Sequence, residues 1–169
     1  MSQETTNVVL AGVGGQGVLK ASDILADAAF LSGQDVKKAE LHGMSQRGGS
    51  VSSDVRFGSK VLSPMVPEGE AHFLVVLDVT QATVNIHRLA EGGVLIAADL
   101  INESDLPRRR CLNVALLGIL SNYLPLETEQ WKRAICANLD AEYHEDNLEA
   151  FEMGRELGAA KSDPEELAG

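Results

Sequence analysis

Between Asn7 and Phe30 the chain changes its apolar periodicity across one cluster of glycines, and that change restricts the fold more than any other feature of the sequence. Asn7-Val8-Val9-Leu10-Ala11 is a short, β-branched apolar run that stops at Gly12, as the first strand of a parallel sheet does. From Val18 to Phe30 the residues Leu19, Ile24, Leu25, Ala28 and Ala29 recur at helical intervals, with Lys20, Asp23 and Asp27 elsewhere on the wheel. Between the two, Gly12-Val13-Gly14-Gly15-Gln16-Gly17 fits the G-x-G-x-x-G template with one extra glycine. A strand that turns straight into a helix needs backbone angles that side chains forbid, and it leaves bare amides facing any approaching anion. The turn is therefore either a phosphate-contacting loop or a close-packed connection. A dinucleotide site also asks for an acidic residue about 20 positions further on; Asp35 and Glu40 both qualify.

The remaining chain reads as an α/β protein, a Rossmann-like three-layer α/β/α fold on a mixed, mostly parallel sheet. Gly33 closes the first helix, and Asp35 to Leu41 is a second strand. Val51, Ser53, Val55 and Phe57 alternate with Ser52, Asp54 and Arg56, the pattern of a strand with one wet face. No crossover helix fits before it, so this strand should run antiparallel to its neighbour. Gly58-Ser59 suggests a hairpin turn, with Lys60-Val61-Leu62 as the return strand. Phe73 to Leu77 is a buried central strand, followed by a helix over Thr80 to Ala90 closed by Glu91-Gly92-Gly93, and by a strand over Val94 to Ala98. This alternation is the second half of a doubly wound sheet. Three helices follow, near Leu112 to Tyr123, Glu127 to Leu139 and Asp146 to Leu157. One domain over 1–160 and a flexible polar tail over 161–169 are expected.

Composition narrows the function. The net charge of -11 repels nucleic acid phosphates and anionic membranes. No apolar run is long enough to span a bilayer and the N-terminus lacks a signal-peptide layout, so a cytoplasmic protein is expected. The two cysteines, Cys111 and Cys136, are distant in sequence and form no C-x-x-C pair, which offers neither an iron-sulfur cluster nor a structural zinc its ligands. No G-x-S-x-G elbow or paired histidines suit catalysis or metal binding.

The segment His42-Gly43-Met44-Ser45-Gln46-Arg47-Gly48-Gly49-Ser50 combines an imidazole, hydroxyls, an amide, a guanidinium and three glycines, which suits oriented polar contacts better than packing. Arg47 with the amides of Gly48 and Gly49 can form an anion nest, helped by Ser45 or Ser50. If the second strand ends at Leu41, this loop shares a sheet rim with the glycine turn, where open sheets bind ligands. Blander roles stand beside these. His42 can bond a backbone carbonyl, Arg47 can pin its own loop to Asp54 or Asp78, Asp78 and Asp99 can cap the following helices, and Arg108-Arg109-Arg110 can be a solvated face or a docking patch.

The glycine turn Gly12 to Val18, followed by His42 to Val51, resembles the gamma subunit or domain of 2-oxoacid:ferredoxin oxidoreductases, and most of all the small chain of the indolepyruvate subgroup. Leu77-Asp78, Asn113-Val114 with Leu116-Leu117-Gly118, and Asn147 with Ala150-Phe151 and Gly154 also match. One departure is the connector between Asp99 and Asn113, shorter here than is usual in the family. The resemblance implies a complex that oxidatively decarboxylates a 2-oxoacid, passes the acyl group to coenzyme A and its electrons to ferredoxin. Thiamine diphosphate and iron-sulfur clusters serve that chemistry. This sequence has neither cluster-type cysteine spacing nor a G-D-G motif followed by paired asparagines, so a larger partner subunit is expected to carry both cofactors. The resemblance puts ligand or partner contact on Gly12, Gly14, Gly15, Gln16, Gly17, His42, Ser45, Arg47, Gly48 and Gly49, and no catalytic residue on this chain. It leaves open a homodimer of the isolated chain. The competing class is a stand-alone NAD- or nucleotide-binding Rossmann-like protein.

Overall fold

A computed structural model describes residues 4–42 and 49–161. Its elements are β1 (Thr6–Val13), α1 (Val18–Leu31), β2 (Asp35–His42), β3 (Ser50–Gly58), β4 (Ala71–Val76), α2 (Thr80–Asn85), β5 (Leu89–Ala97), α3 (Leu112–Ser121), α4 (Thr128–Asn138) and α5 (His144–Lys161). The strands form one sheet in the order β2-β3-β1-β4-β5. β1 is the middle strand, which accounts for its unbroken apolar run: Val8, Val9, Leu10 and Ala11 are all fully buried. It pairs in parallel with β4 and antiparallel with β3, and β3 pairs antiparallel with β2. β4 and β5 are parallel, so β3 alone runs against the other four strands, and the mixed, mostly parallel sheet is as expected.

The two faces are covered unequally. Val8, Leu10, Val55, Val75 and Ile96 point toward a thick layer of α1, α3, α4 and α5. Val9, Ala11, Leu74 and Val76 point the other way, toward α2 and the buried Val66. On that thinner side a charge pair does the fastening. Asp54 of β3, fully buried, accepts from Arg88 Nη2 at 2.7 Å and from the Val66 amide at 2.9 Å. The pair ties both the segment after β3 and the 3₁₀ turn Ile86–Arg88 to the sheet.

Within the thick layer α3 and α5 nearly touch. A Cβ on Gly154 would lie 1.9 Å from the Ala115 carbonyl oxygen, and one on Gly118 would lie 2.2 Å from that of Phe151. Asn122 Nδ2 donates to the Arg155 carbonyl across the same seam. The rings of Trp131 and Phe151 meet at 5.6 Å and join α4 to the pair.

Two expectations fail for tertiary reasons. Lys60-Val61-Leu62 is not a return strand, because β3 already has β1 on one side and β2 on the other and offers no free edge. Val61 is instead buried, its amide donating to Asp35 Oδ2 at 2.7 Å. The helix after β4 ends at Asn85 rather than Ala90, since Leu89 pairs with Ala71 and opens β5. Glu91-Gly92-Gly93 therefore lies inside β5, at a register shift where Gly92 has φ 77°. The tail expected over 161–169 lies outside the described residues apart from Lys161, the last residue of α5.

Gly154→Ala sets two effects against each other: about 1 kcal/mol of helix propensity in favour, and a methyl forced against a backbone carbonyl, which costs about 1–3 kcal/mol or more. The clash is with backbone and should win, so urea denaturation is expected to show a net loss of about 1–2 kcal/mol. Arg88→Met leaves the Asp54 carboxylate buried and unpaired, and the same measurement should show a loss of about 3 kcal/mol or more.

Candidate functional site at the glycine turn

The turn between β1 and α1 is braced from three sides. Gly15 (φ 89°) and Gly17 (φ 83°) adopt left-handed backbone that other residues rarely enter. Gln16 is the brace: its Oε1 accepts from the Val13 amide at 2.8 Å and its Nε2 donates to Asp78 Oδ2 at 3.0 Å. Asn113 of α3 closes the third side, its Nδ2 donating to the Gly17 carbonyl at 3.2 Å. That contact admits no side chain at 17, where a Cβ would sit 2.6 Å from Asn113 Nδ2. Gly12 is likewise crowded, by Gln16 Oε1 and Val18 Cγ2 at 2.8 Å. α1 starts with no side-chain cap and no acidic residue in its first turn, so its leading amides face outward with the positive end of the helix dipole.

Asp78 leaves β4 beside this turn. Its Oδ1 accepts from the Thr80 hydroxyl at 2.6 Å and the Thr80 amide at 3.0 Å, which fastens the start of α2, as the capping expectation had it. These Thr80 contacts first, and the Gln16 bond after them, hold its carboxyl below the usual carboxylate range. Asp99, the other strand-end acid, lies in a 3₁₀ turn and makes no such contact among the described residues.

The second loop meets the first. Gly14 donates its amide to the Gly49 carbonyl at 3.0 Å, so the end of β1 and the start of β3 share one rim of the sheet. His42 ends β2 at the same rim, paired with Val51. Val13, Gly14, Leu19, Lys20, His42 and Val51 line a cavity of about 330 Å³ beside the glycine turn. The His42 ring makes no hydrogen bond to any described residue, so the backbone-bonded role is not found there. Ser45, Arg47 and Gly48 lie outside the described residues. The two acids considered as their partners are engaged elsewhere, Asp54 by Arg88 and Asp78 by Thr80 and Gln16.

A wider cleft of about 580 Å³ opens on the other flank of the turn, lined by Gly15, Gly17, Lys20, Arg109, Arg110 and Asn113. Arg109 is held by Glu103 at 2.9 Å, and Arg108 by Asp146 at 2.7 Å. Lys20 is there by sequence, in the first turn of α1, and the Arg108-Arg109-Arg110 run, a solvated face or a docking patch by its sequence, is brought to the turn by the fold of 98–111 across the α3 start. The arrangement can hold an anion with flexible cations and fixed amides, and among the described residues it presents no paired acid and base.

The acids considered for a nucleotide ribose are poorly placed. β3 separates β1 from β2, so any β2 residue stands two strand spacings, about 10 Å, from the glycine turn. Asp35 lies at the opposite end of its strand, bonded to Val61, and Glu40 is bonded to Lys38. Among the described residues no cluster of histidine, cysteine or acid is arranged to hold a metal, and no helix is long and apolar enough to cross a membrane.

Asp78→Asn places an amide where Gln16 Nε2 needs an acceptor, and the variant should be less stable than the wild type at neutral pH. The wild-type carboxyl is depressed, so its contribution is present above the ordinary carboxylate pKa and lost as the pH falls through the lowered one. Thermal melts over an acid series should show the gap between the two proteins closing in that range.

Comparison with known proteins identifies the family and the fold. Residues 7–110 match the family model described as pyruvate ferredoxin/flavodoxin oxidoreductase. The IorB subunit of indolepyruvate oxidoreductase from Thermococcus kodakarensis is 32% identical over 188 positions, covering 88% of this chain and 93% of the relative. That share is about 149 residues, so about forty aligned positions of the relative have no counterpart here. Among solved structures, the gamma subunit of a keto/oxoacid ferredoxin oxidoreductase from Geobacter sulfurreducens superposes with a TM-score of 0.79 at 25% identity, over 92% of this chain and 99% of that one. A 2-oxoglutarate:ferredoxin oxidoreductase from Magnetococcus marinus shares the fold, with a TM-score of 0.78 at 21% identity, over 95% of this chain and 32% of that one. The chain belongs to the pyruvate ferredoxin/flavodoxin oxidoreductase family, as the small, gamma-type subunit of a 2-oxoacid:ferredoxin oxidoreductase.

Proposed function

We propose that this subunit serves an enzyme that oxidatively decarboxylates indolepyruvate or a related 2-oxoacid, with coenzyme A as acyl acceptor and ferredoxin as electron acceptor. A larger partner subunit carries the thiamine diphosphate and the iron-sulfur clusters. The observation that carries this reading is the rim itself: a glycine turn bonded to the Gly49 loop, beside a cleft that gathers Lys20, Arg109 and Arg110 on a chain of net charge -11. Indolepyruvate is favoured because the likeness to the Thermococcus kodakarensis subunit extends over nearly the whole of both chains.

The residues present fit one of the implied groups and not another. Coenzyme A is polyanionic, and the uncapped amides of α1 with Lys20 and Arg110 suit its phosphates. A bound coenzyme A supplies the thiol that takes the acyl group. The Magnetococcus marinus enzyme was solved with coenzyme A and succinyl-CoA bound, which supports the same ligand class here. An iron-sulfur cluster does not fit the cysteines. Burial first, and Asp146 second, push the Cys111 thiol up, away from the thiolate that iron requires. The work of this chain is then to bind and to orient. Gln16 and Asn113 fix the turn, the turn aims the α1 amides, and the cations on either side draw the anion in.

Co-purification with the larger subunit and assay of indolepyruvate-dependent ferredoxin reduction test the reading. The double variant Lys20→Glu, Arg110→Glu should raise KM for coenzyme A by about tenfold or more, as loss of one or two charge-assisted contacts does, and leave kcat nearly unchanged. Full turnover by the larger subunit without this chain, or a KM for coenzyme A indifferent to both reversals, would overturn it.

A further inference from the structure

Two cavities meet at the start of α1, and their chemistry differs. The wider one holds Arg109, Arg110 and Asn113. The smaller, of about 330 Å³, is walled by Val13, Val18, Leu19 and Val51, with His42 at its border. They share Gly15, Gly17 and Lys20, so the tip of the glycine turn is what stands between them. Gly17 is bare because Asn113 crowds it, whereas a Cβ on Gly15 would meet nothing within 4 Å. No packing demand keeps position 15 empty, and a side chain there would stand in open space beside both cavities.

We infer that the smaller cavity is the seat of the adenine of coenzyme A, reached over Gly15 from the phosphate-holding cleft, with the His42 ring as the surface on which the base stacks. The inference rests on the proposed function and deepens it. Under that reading the thiol has to reach thiamine diphosphate on the larger subunit, so the pantetheine arm leads away from this chain. The nucleotide end is what stays. Its diphosphate and its ribose phosphate belong with the α1 amides, Lys20 and Arg110, and its base lies one sugar ring away from them. A purine is flat, uncharged and apolar on its faces, and of the two cavities flanking the turn only the smaller has walls of that character. Its volume is at the lower limit for a small-molecule pocket, enough for one fused ring and too little for the whole cofactor. Lys20 joins the halves: its aliphatic stem borders the apolar cavity while its ammonium reaches a phosphate. The His42 ring makes no hydrogen bond to any described residue, which leaves its face available to a base.

The test uses the assembled enzyme, with coenzyme A and phosphopantetheine, which lacks the adenosine, as alternative acyl acceptors. Leu19→Trp fills the cavity. Gly15→Asn keeps the left-handed turn, which asparagine tolerates, and places a side chain at its mouth; it should melt near the wild type. Each should raise the ratio of KM for coenzyme A to KM for phosphopantetheine by about tenfold, the scale of one stacked base. Fluorescence anisotropy of etheno-coenzyme A, whose base is itself the fluorophore, should show the same loss of affinity without turnover. His42→Ala should weaken that binding and His42→Phe restore it, since a phenyl ring stacks without a proton to share. Anisotropy indifferent to Leu19→Trp and His42→Ala, in an enzyme whose binding of coenzyme A still falls with Lys20→Glu, Arg110→Glu, would overturn this inference alone. An equal effect on both acceptors would do the same, by placing the pantetheine arm in the cavity. Binding that ignores the charge reversals as well would bring down the proposed function with it.

Discussion

The antiparallel ladder between β1 and β3 is the constraint on which the arrangement of the rim depends. A doubly wound sheet would place β2 directly beside β1. Here β3 takes that place, running the opposite way, so that its first residues arrive where β1 ends. The bond from the Gly14 amide to the Gly49 carbonyl is the outermost rung of that encounter. It makes the glycine turn and Gly49 neighbours through their backbones. The same insertion carries β2, and with it Asp35 and Glu40, away from the turn. A single topological choice thus assembles one kind of site and dismantles another, the acid-read ribose of a dinucleotide fold.

Bracing of the turn is distributed over elements far apart in sequence. Gln16 belongs to the turn, Asp78 to the end of β4, Thr80 to α2 and Asn113 to the start of α3. Each contact is modest alone, near 1 kcal/mol for a typical hydrogen bond. Together they leave the α1 amides aimed at solvent rather than at a cap of the chain's own. Backbone and short polar side chains do the fixing, while Lys20 and the arginines remain on flexible stems. A polyanion with several phosphates is well matched by that combination of rigid donors and movable charges.

What the sequence disclosed and what it hid follow from the range of the interactions involved. β1, α1 and β2 were legible because strand-buried and helical periodicities are local, and the antiparallel sense of β3 followed from a connection too short for a crossover. The shared rim was legible for the same reason. The return strand at Lys60 to Leu62 was misread because a good turn dipeptide, Gly58-Ser59, says nothing about whether its strand already has two neighbours. Leu89 and Gly92 looked like a helix end since the pairing that claims them, with Ala71, is decided across the sheet. The Asp54 to Arg88 pair and the approach of Arg110 to the glycine turn join residues with no spacing signature at all. Resemblance to the oxidoreductase gamma subunits identified the two glycine motifs, whereas the basic run Arg108 to Arg110 was visible in the sequence and only its place beside the turn emerged from the folded connector.

α3 has a consequence for how the polypeptide reaches this state. From Asn113 to Leu120 every residue is buried, so the helix has no wet side to turn outward while it waits for its neighbours. One side lies against the sheet and α1, but the seam with α5 is made of glycines and carbonyls that nothing else in the chain can fill. On a ribosome, α3 emerges before α5 has been made, and during that interval a wholly greasy cylinder lies half uncovered beside a nearly complete sheet. Synthesis of α5 is the event that ends this vulnerability, and nascent chains stalled just short of it are the ones that chaperones should hold longest.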